Sequence, residues 1–174
     1  MTEPLPDFTA LLRGARRTAV HLEMRDAYGV ADEAAAFEEF KRSGAVDTDP
    51  DSPWWAGWVP LVRETVGRGV RLRRARIVSE PVTDYIRWEH ALTTVNLAAG
   101  EQVRWLPRRL ASDIPLPGND LWLIDDRLVL FHWFSGDGAW AGHRYCEDPA
   151  VVELVSGAFE TVWQRGTPHA DYAV

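Results

Sequence analysis

The chain has little of what usually announces a function. It contains one cysteine, Cys146, so an internal disulfide framework and a cysteine-rich zinc site are both excluded. Its five histidines, at 21, 90, 132, 143 and 169, show no metal-ligand spacing. No apolar run approaches the roughly 20 residues that span a bilayer, and the first residues lack a basic-then-apolar signal segment. These features lead us to expect a cytoplasmic protein without a membrane partner. No glycine-rich phosphate loop follows a strand, and no nucleophile elbow is present. Lysine is nearly missing: of 19 basic residues 18 are arginine, a bias typical of GC-rich coding, and only Lys41 is lysine. Basic charge is also short overall. Against 26 acidic residues the net charge is −7, which disfavours a whole-chain electrostatic grip on nucleic acid or anionic lipid.

What is present describes a single globular domain. The chain has 174 residues, 46% of them hydrophobic, enough for a packed core. Nine tryptophans stand out, either as large core residues or as walls of a ligand cavity or partner surface.

Periodicity predicts mixed elements. Helices are expected over residues 7–16, 31–42, 84–97 and 148–164. Another runs from about Trp54 to Gly67, starting near Val59 if Pro60 takes its first position. Strands are expected over 18–25, 70–78, 102–106, 121–124, 128–134 and 139–145, the first half-buried, with Asp125–Asp126 as a tight turn. The resulting fold class is α/β: a mixed sheet with antiparallel hairpins and helices packed on its faces. Residues 1–53 read as a helix-strand-helix segment packed on the main sheet, 54–166 as the α/β core, and 167–174 as a loose tail.

Two stretches carry a resemblance. One is Ser79-Glu80-Pro81-Val82-Thr83-Asp84-Tyr85-Ile86-Arg87-Trp88-Glu89. The other is Gly100-Glu101-Gln102-Val103-Arg104-Trp105-Leu106-Pro107-Arg108-Arg109 with Leu121-Trp122-Leu123-Ile124-Asp125-Asp126-Arg127. Together they resemble an uncharacterised actinobacterial domain family, common in Streptomyces and encoded beside Xre-type helix-turn-helix regulators of the WhiJ kind. The resemblance implies a fold and a regulator as partner, and no reaction. The element order is also similar to one half of the phospholipase D-like fold, whose site motif is His-x-Lys, four residues, then Asp. With Asp125 at the motif's aspartate, Gly118 stands at the histidine and Asp120 at the lysine. Neither can act as nucleophile or phosphate-binding cation. Phospholipase D-type phosphodiesterase chemistry is therefore disfavoured, and such a half can serve as a ligand-sensing domain.

Candidate site residues follow. Glu80, Asp84, Tyr85 and Arg87 could line a polar pocket at a strand end, where ligands sit in open α/β sheets. They could equally act structurally, with Asp84 favoured in the first helical turn and paired with Arg87. Trp88, Trp105, Trp122 and Trp133 could wall an apolar pocket, with Arg104 and Asp125 as further ligand contacts. His132 and His143 could meet across a hairpin, making His132 a candidate base. Arg68, Arg71, Arg73, Arg74 and Arg76 form a basic run suited to an acidic partner, or a solvated strand edge. No cofactor and no metal are expected. The leading expectation is a non-catalytic regulatory or ligand-sensing protein acting with a helix-turn-helix regulator. The alternative is a small-molecule enzyme with a tryptophan-lined pocket and acid–base groups from Ser79 to Glu89.

Overall fold

The computed structural model describes residues 7–29 and 31–174. Residues 1–6 and Val30, parts of the expected 1–53 segment, lie outside the described residues. Among the described residues five α-helices and seven strands follow in the order α1 (Phe8–Gly14), β1 (Thr18–Glu23), α2 (Ala34–Ser43), α3 (Val59–Gly67), β2 (Arg71–Val78), α4 (Asp84–Ala99), β3 (Gln102–Pro107), β4 (Leu121–Ile124), β5 (Leu128–Phe134), β6 (Trp140–Cys146), α5 (Pro149–Arg165) and β7 (Thr167–Pro168).

Local chemistry sets the element ends. The Asp7 carboxylate accepts from the Thr9 N–H and the Thr83 hydroxyl from the Ile86 N–H, opening α1 and α4. Pro60 sits in the first turn of α3, where its missing N–H costs nothing. Asp125 and Asp126 both take left-handed φ (53° and 52°), the geometry of a two-residue hairpin turn. The Asp125 carboxylate also accepts from the Arg16, Arg17 and Thr18 N–H groups, tying the β4–β5 turn to the start of β1.

The sheet order is β6-β5-β4-β1-β2-β3-β7. β1, β2 and β3 run parallel; the remaining neighbours are antiparallel. β1 lies at the centre of the sheet, so the segment expected to pack on the main sheet supplies its middle strand instead. All six residues of β1 are buried, where a half-buried strand was expected. The reason is that helices cover both faces, and a centre strand then has no solvent side.

On one face Val20, Leu22, Ala75, Ile77, Leu106, Leu121, Leu123 and Val129 pack against Val152, Val155, Phe159 and Val162 of α5. On the other face are two apolar clusters. Ala19, Leu72, Trp122, Ile124 and Leu130 meet Leu12, Trp55, Val59, Val62, Val95 and Ala99. Val78, Val103 and Trp105 meet Val82, Tyr85, Ile86 and Trp88 of the α4 region.

The C-terminal residues are not loose. β7 pairs with β3, Tyr172 is buried with its ring stacked on Trp105, and the Trp105 indole N–H donates to His169 Nδ1 at 3.1 Å. Tyr172 and His169 supply apolar and polar contacts at once, which overcomes the short length of the segment. Among the described residues no helix is long and apolar enough to cross a membrane.

Candidate functional site

The strip between the two apolar clusters is charged. Side chains alternate along β1 and β2, and their parallel register sets His21 beside Arg74 and Glu23 beside Arg76 on the same face. Glu89 and Asn96, seven residues apart on α4, descend onto them, and Glu101 follows the helix end. All seven residues are buried. Arg74 donates from Nε to Glu101 (2.7 Å) and from Nη1 to Glu23 (3.2 Å). Arg76 donates from Nε to Glu23 (2.6 Å), and its Nη1 lies 3.2 Å from Glu89 in an ion pair without hydrogen-bond geometry. Asn96 donates to the other oxygen of Glu101 at 2.7 Å.

Three carboxyls thus face two guanidiniums. Burial alone would raise Glu23, but Arg76 and Arg74 outweigh it and hold this carboxyl well below the usual range. Glu89 goes the other way. Burial, reinforced by Glu23 and Glu33 against the pull of Arg76, pushes it up to about 8. Near neutral pH Glu89 is therefore largely a carboxylic acid, which balances the cluster. Burial also lowers His21 well below its ordinary value, so its ring, stacked on Trp122 at 4.2 Å, is neutral.

Above this floor is a cavity of about 570 Å³, a size suited to a small organic ligand. Its walls are Trp54, Trp55, Trp58, Trp88 and Trp122, with Asp32 and Glu33 contributed by the 3₁₀ turn before α2. Tyr85, buried behind it, donates its hydroxyl to Glu33 at 2.6 Å. Trp122 is shared with a second cavity of about 340 Å³, lined by Asp7, Phe8, Leu130, His132, Trp140, His143 and Tyr145. There His132 and His143 are cross-strand partners, and burial drives His132 down to about 4.

The expected site residues divide between these places and elsewhere. Trp88 and Trp122 are cavity walls, and Tyr85 supports Glu33. Asp84 and Arg87 pair with each other at 2.8 Å on the exposed side of α4, away from the cavity. Glu80 accepts from the Tyr172 hydroxyl at 3.2 Å and pairs with Arg109 at 3.4 Å. A helix turns its first residues outward every third or fourth position, so the polar run does not converge. Trp105 is wholly buried beneath Arg76, and Trp133 is half-exposed on the α5 side of the sheet. Arg104 is on that side too, donating to the Trp163 carbonyl at 2.8 Å. Asp125 serves the turn.

The basic run does not form one face. Strand alternation sends Arg74 and Arg76 into the buried network, while Arg73 pairs with Glu160 at 2.6 Å and stacks on Phe159 across the sheet. Arg68 caps the Leu12 carbonyl and pairs with Glu64. Arg71 is exposed. Glu23, Glu89, Glu101 and Trp58 were not among the expected residues. Arg74 and Arg76 stand at two-residue spacing between the apolar Leu72 and Val78 on one strand face, and that spacing was the signal that could have found the network. Asp120, which stands at the lysine position of the phospholipase D-type motif, accepts from the Met24 N–H at 2.9 Å and from the Tyr28 hydroxyl. Burial raises it to about 6. It anchors the chain leaving β1.

Residues 6–174 match the family model described as "Domain of unknown function (DUF6879)". No curated protein matches the sequence. Among solved structures, the phospholipase D family member Nuc from Salmonella typhimurium superposes with a TM-score of 0.54. It is 11% identical, and the match covers 92% of this chain and 86% of that one. NucT from Helicobacter pylori gives 0.49 at 9% identity over 92% and 87%. The archaeal chromatin protein TrmBL2 gives 0.46 at 11% identity over 91% and 47%. The likeness to Nuc is one of fold: a mixed sheet with helices on both faces, of the phospholipase D-like type.

Proposed function

The chain belongs to the DUF6879 family, and from that footing we propose that it is a non-catalytic, ligand-sensing protein whose ligand occupies the tryptophan-walled cavity. The observation that carries this reading is the cavity itself: five indoles stand over a buried Arg74–Arg76–Glu23–Glu89–Glu101 network. Such a network is a costly thing to keep inside a protein, and a purely apolar floor of the same volume would be as stable or more so. A polar floor under aromatic walls orients a ligand, and that gives its retention a purpose. Gly118 and Asp120 at the nucleophile and cation positions support a binding role over phosphodiester hydrolysis. The helix-turn-helix regulator and the actinobacterial origin implied by the sequence resemblance, with the cytoplasmic setting expected from the sequence, complete the reading: the ligand would report to that regulator.

The test is a thermal-shift and tryptophan-fluorescence screen of small molecules, with the regulator as a separate additive. At a concentration 100 times its Kd a true ligand stabilises the fold by about 2.7 kcal/mol. The expected outcome is a saturable shift that Trp54→Leu weakens, the ligand recovered unchanged, and no hydrolysis of bis(p-nitrophenyl) phosphate above background. A panel without any stabilising molecule would remove the sensing role.

A second reading, an enzyme of small-molecule metabolism, is favoured by one observation. Glu89 is a largely protonated acid at neutral pH, beside Arg76, inside a ligand-sized cavity. Conversion of a bound molecule that ceases in Glu89→Gln would select it.

A further inference from the structure

We propose that the ligand of this cavity is an organic cation, a protonated or quaternary amine seated on the indole faces with its charge toward Asp32, Glu33 and Glu89. The inference rests on the cavity being a ligand site and adds the chemical class.

The cavity contains two arginines, which at first sight would favour an anion. Their charge is already committed. Arg74 is held between Glu101 and Glu23, and Arg76 donates to the same Glu23. Two carboxylates in the floor thus answer two guanidiniums. Three further carboxyls face the cavity: Asp32, Glu33 and Glu89. Asp32 is exposed at the rim and makes no hydrogen bond or ion pair among the described residues. Among the described residues Glu33 accepts from a neutral phenol alone, that of Tyr85. Glu89 has a single ion contact, with Arg76. With Glu89 largely a neutral acid, Asp32 and Glu33 are the carboxyls that leave the cavity surface acidic in excess of its cations.

The walls suit the same ligand. Among aromatic side chains indole has the strongest attraction for a cation, through the negative face of its ring. Trp58 already carries Arg74 over its ring at 5.6 Å, and Trp105 beneath carries Arg76 at 5.0 Å. No protein cation lies over Trp54, Trp55, Trp88 or Trp122 among the described residues. A neutral apolar ligand would desolvate Asp32 and Glu33 without compensation, and an anion would oppose them.

Glu89 adds a readout. It is surrounded by Arg76, Glu23, Glu33 and Arg74, and burial holds it up to about 8. A cation beside it favours the ionised form, so binding releases a proton near neutral pH and affinity rises between pH 6 and 8.

The experiment is titration of the full chain with choline and benzyltrimethylammonium. The neutral isostere of choline, 3,3-dimethylbutan-1-ol, and benzoate serve as controls, and binding is read by tryptophan fluorescence and calorimetry in two buffers of different ionisation heat. Both cations are expected to bind at least about tenfold more tightly than the isostere, with proton release at pH 7. Asp32→Asn and Trp54→Leu, both at the rim and so tolerant of change, should each weaken binding about three- to tenfold. Equal binding of the isostere, or tighter binding of benzoate, would overturn the cation assignment and leave the cavity a ligand site. Failure of all four probes, together with an empty small-molecule screen, would overturn the ligand site too.

Discussion

Glu23 holds two arginines at once, and its removal would leave both buried without full compensation. Glu23→Ala is expected to cost about 3–5 kcal/mol in urea unfolding followed by tryptophan fluorescence. Glu89 behaves differently because its folded-state value, about 8, is above its ordinary value of 4.5. A group raised on folding stabilises fully below its unfolded pKa, and that contribution is lost as pH rises through the folded value. Wild-type stability should therefore fall between about pH 4.5 and 8 relative to Glu89→Gln, which keeps the neutral shape at every pH. A constant difference between the two proteins across that window would show that Glu89 is ionised in the fold. The side chains of this network were only partly legible in the sequence. Arg74 and Arg76 read as a basic patch because their partners lie 51, 53 and 27 residues away in the chain.

Among the elements, the hairpin β4–β5, the start of α3 at Pro60 and the Thr83 cap of α4 agree with the expectations from turn and capping chemistry. These signals are local: a left-handed aspartate pair, a proline, a hydroxyl three residues before an N–H. The C-terminal segment was misjudged because its partners are distant. Tyr172 stacks on Trp105, and its carbonyl accepts from His90 Nε2 at 2.9 Å. Truncation after Gly166 should expose Trp105 and His90 and lower stability by about 3–5 kcal/mol, the usual cost of emptying an aromatic site, in a denaturant titration. An unchanged midpoint would restore the loose tail. α2 is the opposite case, a helix with no buried residue that rests on half-buried Phe37 and Phe40.

For the molecule as a whole, these differences predict a gradient of local stability. β1 and β2, buried at the sheet centre, should exchange amide hydrogens only through global opening, and α2 through the cheapest local one. The 3₁₀ turn that brings Asp32 and Glu33 to the cavity directly precedes α2. A ligand in the cavity should therefore slow exchange in residues 31–43 more than in α5, on the far face of the sheet. Equal slowing of both helices would locate the ligand elsewhere.

Composition and periodicity were enough to establish an α/β domain with a central mixed sheet and most of its element boundaries. These depend on spacing along the chain, on caps and on turns, all of which act over a few residues. The cavity, its charged floor and the ordered C-terminus depend on which face each strand residue takes and what helix covers it. Strand alternation can be read from a sequence, but which face is covered, and by which distant carboxylate, is set by packing between elements far apart in the chain. That is why Glu89 and Glu23 acquire opposite shifts from one shared environment, and why tryptophans from the segment before α3, from α4 and from β4 meet around a single space.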